Sequence, residues 1–276
     1  ETRETMTGFL SSYQGITTSQ TFSSIWPAYG LMLVTFALNF AILYKGISKG
    51  IEKLAKIAMP LLFIFATILA IRIFTLGTPD PAFPENSVAN GFAFIWNPDF
   101  SALGNPNIWL AAAGQIFFTL SVGMGTIHAY ASYLKPNDDI VLSGLATAST
   151  NEFAEVVLGA SIAIPVAVAF FGLDATKEIA QGGAFNLGFV SMPIIFGSSH
   201  FPMGEVFGFM WFLLLFFAGI TSSVAMGQPV VAFLEDEFGM DRKKAVTALA
   251  IAVLIAVQFV IFFLKLGFLY EMDVWA

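Results

Sequence analysis

Six stretches of this chain, at residues 27 to 46, 57 to 76, 108 to 134, 143 to 172, 205 to 234 and 245 to 265, are apolar over lengths that reach across a bilayer. About 20 such residues cross the hydrocarbon core as a helix. No water reaches backbone N–H and C=O groups there, so each span must satisfy its own ladder. Only 11% of the 276 residues are charged and 57% are hydrophobic, whereas soluble domains carry roughly 25% charge. The pattern predicts an all-α polytopic membrane protein with six transmembrane helices.

Six spans leave both chain ends on one side of the membrane. Eight of the 12 basic residues fall in alternate loops: Lys45, Lys49, Lys53 and Lys56, then Lys135, then Arg242, Lys243 and Lys244. The positive-inside rule puts those loops in the cytoplasm and both ends outside, in a cell (plasma or inner) membrane. Arg72 and Lys265 stand at span ends, where long side chains snorkel. With a net charge of −7 the chain lacks the clustered cations that phosphate neutralisation needs, which excludes nucleic acid as a partner. Without cysteine there is no thiolate metal site and no disulfide framework. The chain opens at Glu1 with neither Met nor a signal-like run, so it is expected to be an internal piece of a longer protein.

Between the first two spans, "GISKGIEKLAKIAMP" sets Ile47, Ile51, Leu54 and Ala58 on one face and Lys49, Lys53 and Lys56 on another. That suits a short helix lying at the cytoplasmic interface, with a solvated linker as the other reading. Residues 77 to 107 carry five prolines among Asp and Asn and read as an ordinary external loop. Residues 180 to 204 are too apolar for open water and too Gly-rich for a span. They predict a re-entrant lid buried against protein.

The third span reads "TLSVGMG" at its middle, Thr119 to Gly125. Two glycines and two hydroxyls there have the ingredients of a helix break, which persists in hydrocarbon only where an ion or substrate re-satisfies the backbone. A close-packed helix is the alternative, although Gly-x-Gly spacing puts the two glycines on different faces. The fourth span begins "TNEFAEVV", so Asn151 and Glu155 are four apart on one face. An acid at the centre of a membrane helix costs about 2.5 to 3.5 kcal/mol, so Glu155 is expected to face a cavity or a partner. A carboxyl kept neutral and bonded to a neighbouring helix is the bland reading. In span five, "FFAGITSSVAMGQP" offers the Ala218 carbonyl and the Thr221 and Ser222 hydroxyls within about one turn, neutral oxygens suited to sodium. Hydroxyls bonded back to their own helix are the alternative.

Span five ends "FLEDEFG", three acids at a helix C-terminus where the macrodipole disfavours negative charge. A basic partner is therefore expected: either the following Arg242, Lys243 and Lys244, or an arginine from elsewhere. Enzymatic readings fail, because His128 and His200 are the only histidines and neither a nucleophile elbow nor a phosphate loop is present.

"GQIFFTLSVGMG", "NEFAEVVLG", "FFAGITSSVAMGQPVVAFLEDE" and "EMDVWA" together resemble the neurotransmitter:sodium symporter family, most closely its bacterial amino-acid transporters. The likeness runs from the outer loop before the fourth family helix through the ninth. It implies part of the inverted-repeat, bacterial-leucine-transporter-like fold with one unwound helix. The end of the first repeat would fall at about 1 to 77 and most of the second at about 107 to 276.

By the same resemblance Thr119 and Asn151 are ligands of one sodium site, completed by the substrate carboxylate. The Ala218 carbonyl with the Thr221 and Ser222 hydroxyls belongs to a second. Phe118, Thr119, Ser121, Met124, Ser222 and Met226 line the substrate cavity, and Met124 and Met226 suggest a hydrophobic amino acid. Glu155 stands where chloride-dependent relatives carry a small polar residue, implying chloride independence. Tyr133, Gln228 and Asp236 match the cytoplasmic gate, and residues 180 to 204 the external lid. The expected function is a sodium-coupled, alternating-access symporter with sodium, an amino acid and membrane lipid as partners. A non-transporting receptor or scaffold of the same fold and an ion channel are the alternatives. The family's first, third and tenth helices have no counterpart in this sequence, so the chain alone is not expected to transport.

Overall fold

The computed structural model describes residues 3–181 and 183–264. Lys265 and the "EMDVWA" motif lie outside the described residues. All regular structure among the described residues is helical. Five continuous helical segments among the described residues are long and apolar enough to span a membrane: Trp26–Tyr44, Ile47–Phe74, Ile140–Phe171, Gly204–Phe238 and Arg242–Phe262. The remaining expected span, the third, is interrupted. It comprises a helix at Pro106–Thr119, an irregular stretch, and a short helix at Thr126–Ala131. This is a multi-pass helical membrane fold of six spans with one unwound.

In chain order the α-helices are α1 (Arg3–Tyr13), α2 (Trp26–Tyr44), α3 (Glu52–Phe74), α4 (Val88–Trp96), α5 (Pro106–Thr119), α6 (Thr126–Ala131) and α7 (Ile140–Glu152). There follow α8 (Ser161–Phe171), α9 (Leu173–Gln181), α10 (Gly183–Phe185), α11 (Met192–Phe196), α12 (Gly204–Phe238) and α13 (Arg242–Phe262). Wide π turns at Ile47–Ile51, Phe153–Ala160 and Asn186–Ser191 lead into α3, join α7 to α8 and lead into α11.

Two expectations change. The lysine-rich segment is not a separate interfacial helix. Its π turn runs straight into α3, so the second span, Ile47–Phe74, starts well before its charge pattern stops at Lys56. The exposed Lys49, Lys53 and Lys56 sit on a helix that continues into the apolar span, with Lys56 paired to Glu52 at 2.6 Å. Residues 77 to 107 are not an ordinary loop either. Ser87 accepts a hydrogen bond from Asn90 N–H at 3.2 Å and caps α4, and a 3₁₀ turn follows at Phe100–Gly104. The five prolines flank α4 rather than interrupt it.

The chain divides into two compact units. In the first, residues 1–7 and 58–218, the core gathers Leu69 and Ile73 of α3, Val88 of α4, Ile162 and Val166 of α8, Met192 and Ile195 of α11, and Trp211 of α12. Burying each such side chain contributes roughly 1.5 to 3 kcal/mol. α4 packs on α8 so closely that a Cβ on Gly91 would stand 2.4 Å from Pro165 Cα. The segment expected as a buried lid is helical and inward-packed: Val190, Met192, Ile195 and Phe196 are buried, and Trp211 Nε1 donates to Gly188 O at 3.2 Å.

In the second unit, residues 8–57 and 219–276, Leu43 of α2 packs with Val224 and Val231 of α12 and Ala245 and Val246 of α13. Tyr29 Oη donates to Gln258 Oε1 at 3.0 Å, and Arg242 Nε donates to Leu43 O at 3.0 Å. α2 and α13 are thus pinned together near both ends.

Candidate functional site: a broken helix and its carboxylate

Asn105 caps α5 by accepting from Asn107 N–H at 3.0 Å, and Pro106 takes the first helical position, where its missing N–H costs nothing. Fourteen residues at about 1.5 Å each reach only about two thirds of the way across a 30 Å core. After Leu120 N–H, which bonds Ile116 O at 3.1 Å, the i→i−4 ladder stops. Ser121 N–H goes to Phe118 O at 3.0 Å and Val122 N–H to Phe117 O at 2.8 Å. Helical bonding resumes where Ala129 N–H meets Gly125 O at 2.9 Å. The backbone passes through left-handed φ at Ser121 (54°), Gly123 (89°) and Gly125 (77°). Glycine takes such angles freely, whereas Ser121 is a strained exception. Thr126, opening α6, has a buried hydroxyl with no hydrogen-bond partner among the described residues.

The break sits against a polar cluster. Thr119 Oγ1 donates to Glu155 Oε2 and accepts from Asn151 Nδ2 at 2.9 Å. Asn151 Nδ2 also lies 3.4 Å from the same carboxylate oxygen, and Gln115 Nε2 donates to the other, Oε1, at 2.6 Å. Glu155 belongs to the π turn between α7 and α8. A π turn is wider than an α turn and is frequent at functional sites. Thr119, Asn151 and Glu155 are all half-buried. The structure thus brings Thr119 of the third span against Asn151 and Glu155 of the fourth. Gln115 escaped that reading, although it precedes Thr119 by four positions and so shares its helical face.

The other expected site residues are placed as follows. Phe118 and Met124 are 66% and 40% exposed at the edge of the break, with Ser121 half-buried between them. Ala218, Thr221 and Ser222 lie within one turn of the unbroken α12, Ser222 on its exposed face. Met226, one turn further, lines a cavity of about 330 Å³ with Ser223, Gly227 and residues of α2 and α13. Tyr133 is 47% exposed just beyond α6, and Asp236 is exposed on the last turn of α12. Gln228 is fully buried and accepts from Arg242 Nη2 at 2.8 Å. The same guanidinium stands 3.7 Å from Glu235, so the acidic end of α12 finds its basic partner in the chain's own Arg242. His128 is an exposed residue of α6 and His200 lies in the turn after α11. Among the described residues no cluster of three or more His, Asp or Glu side chains could hold a metal, whereas a monovalent cation needs only neutral oxygens.

A multi-pass helical membrane protein with one span interrupted at a hydrogen-bonded carboxylate is the class that this fold and site define. The model of the sodium:neurotransmitter symporter family matches residues 11–275. An uncharacterized sodium-dependent transporter of Methanocaldococcus jannaschii is 33% identical over 235 residues, covering 83% of this chain and 45% of its own. A sodium- and chloride-dependent betaine transporter of Caenorhabditis elegans is 26% identical over 264 residues, covering 95% of this chain and 39% of its own. The crystal structure of MhsT in complex with L-phenylalanine matches with a TM-score of 0.70 at 31% identity, over 91% of this chain and 51% of that one. The chain belongs to the sodium:neurotransmitter symporter family. It spans about half the length of the curated relatives it matches.

Proposed function

We propose that the full-length protein is a sodium-coupled symporter of hydrophobic amino acids that works by alternating access and needs no chloride. The observation that carries this reading is the contact of Thr119, at the helix break, with Asn151 and Glu155. A break at membrane depth is expensive unless something polar occupies it. An oxygen-rich cluster beside the break supplies ligands for a sodium ion, and the freed backbone meets the charged ends of an amino acid. Thr119 and Asn151 are assigned to one sodium ion; the Ala218 carbonyl and the Thr221 and Ser222 hydroxyls are assigned to another. Phe118, Thr119, Ser121 and Met124 contact substrate, as do Ser222 and Met226. Tyr133, Gln228 and Asp236 act in the cytoplasmic gate, and both ends of this chain face outward.

Where a relative is named as chloride-dependent, an anion enters from solution. Here the Glu155 carboxylate supplies the negative charge and already accepts the bonds such an anion would take. A hydrophobic, bulky substrate agrees with the flexible Met124 and Met226 and with the phenylalanine bound by MhsT. Coupling follows from shared ligands: sodium and substrate each stabilise the arrangement the other needs, which is reciprocal linkage.

The test is uptake of leucine, phenylalanine and tryptophan by the reconstituted full-length protein, with and without an inward sodium gradient. Accumulation that collapses without sodium supports the proposal. Sodium-dependent binding without accumulation marks a receptor, and current exceeding any stoichiometric flux marks a channel.

A further inference from the structure

We propose that the groove between α2 and α13 is a binding site for an anionic phospholipid, its acyl chain lying along the groove and its phosphate held by Lys45 and Lys243. The two helices are long and apolar enough to span a membrane. They are tied at one end by Tyr29 and Gln258 and at the other by Arg242 and the Leu43 carbonyl. Between these ties a groove of about 440 Å³ is left open, within the size range of ligand pockets. Phe36, Phe40 and Tyr44 wall it on the α2 side, and Ala41 and Ala250 are small enough to open its middle. Nearly all of this lining is hydrocarbon, as an acyl chain requires.

The charge at one end of the groove selects the headgroup. Lys45 lines that end, directly after the last residue of α2. The Lys243 ammonium lies 5.9 Å over the centre of the Tyr44 ring, beside the same opening. Its two cationic neighbours are engaged by acids, Arg242 with Glu235 and Lys244 with Asp241. Among the described residues Lys45 and Lys243 face no acidic partner. Two uncommitted cations at the mouth of an apolar groove between spanning helices match a lipid with one negative headgroup, and each lysine near a membrane surface favours it about five-fold. The opposite wall of the groove, Val246, Ala250 and Leu254, follows one face of α13 at helical spacing. No residue of the broken helix or its carboxylate cluster lines the groove, so its test does not depend on the transport reading.

The test uses the full-length protein in mixed micelles, with phosphatidylglycerol and phosphatidylcholine as probes and retained lipid read by native mass spectrometry. Lys45→Gln with Lys243→Gln should lower the preference for phosphatidylglycerol by about 25-fold, and the Lys45→Arg, Lys243→Arg pair should restore it. Ala250→Trp, which fills the groove and leaves both charges, should lower retention of both lipids. An unchanged phosphatidylglycerol preference in the Gln pair would overturn the proposal. So would a photo-cross-linker at Ala250 that captures another segment of the same protein rather than lipid, since a helix would then cover the groove.

Discussion

Replacing Glu155 by serine removes the acceptor of three side-chain donors at once. Thr119 and Asn151 are half-buried and Gln115 is exposed, so the bonds lie toward the lower end of the range for hydrogen bonds to a carboxylate, about 1.5 kcal/mol for each half-buried donor and less for the third. The two half-buried donors alone account for about 3 kcal/mol, roughly a hundredfold in an equilibrium constant. The smaller side chain leaves room for an anion among the same donors. Chloride present at about a hundred times its dissociation constant would then return about 2.7 kcal/mol, nearly the whole deficit. Thermal unfolding and phenylalanine binding of the full-length Glu155→Ser variant should be measured in sodium chloride and in sodium gluconate. The variant should match the parent in chloride and fall well below it in gluconate, while the parent is indifferent. Equal behaviour of the variant in the two salts would refute the assignment of Glu155 as an internal substitute for chloride.

Further outcomes follow from the packing around the site. Gly91→Ala drives a methyl to 2.4 Å from Pro165 Cα and should destabilise the α4–α8 contact by about 1 to 3 kcal/mol, read as increased proteolysis between residues 77 and 107. Arg242→Leu deprives buried Gln228 of its guanidinium donor and strands the Leu43 carbonyl, so the melting temperature should fall with a loss of about 2 to 3 kcal/mol. The Asp241 carboxyl is held below the ordinary aspartate range, first by the backbone N–H of Lys244 and then by the Lys244 side chain. A depressed folded-state pKa means that this cap stabilises above the unfolded value and is lost as pH falls through the folded one. The stability difference between parent and Asp241→Ala should therefore hold at neutral pH and close in strong acid; a difference constant down to that range would contradict the cap.

Much of this arrangement is legible in the amino-acid sequence. Spans are visible because hydrocarbon forbids polar side chains over a fixed length, and the break because glycine and hydroxyl residues crowd where the ladder should continue. α4 was hidden by composition: flanking prolines signalled a loop, while the cap at Ser87 and the contact through Gly91 decide for a helix. The run of lysines from Lys45 to Lys56 concealed continuity, since exposed charge says nothing of whether the backbone bends. Gln115 was overlooked because an amide in an apolar helix is silent until its partner, forty positions away, is brought beside it. The π turn around Glu155 has no signature in the residue pattern.

Sodium binding to the full-length protein, followed by isothermal titration for the parent, Thr119→Val and Asn151→Leu, tests the central claim most directly. Each substitution removes an oxygen from the cluster at the helix break, and the account predicts sodium affinity lowered at least tenfold in both, with phenylalanine binding falling in parallel. Sodium affinity equal to that of the parent in both variants would contradict it.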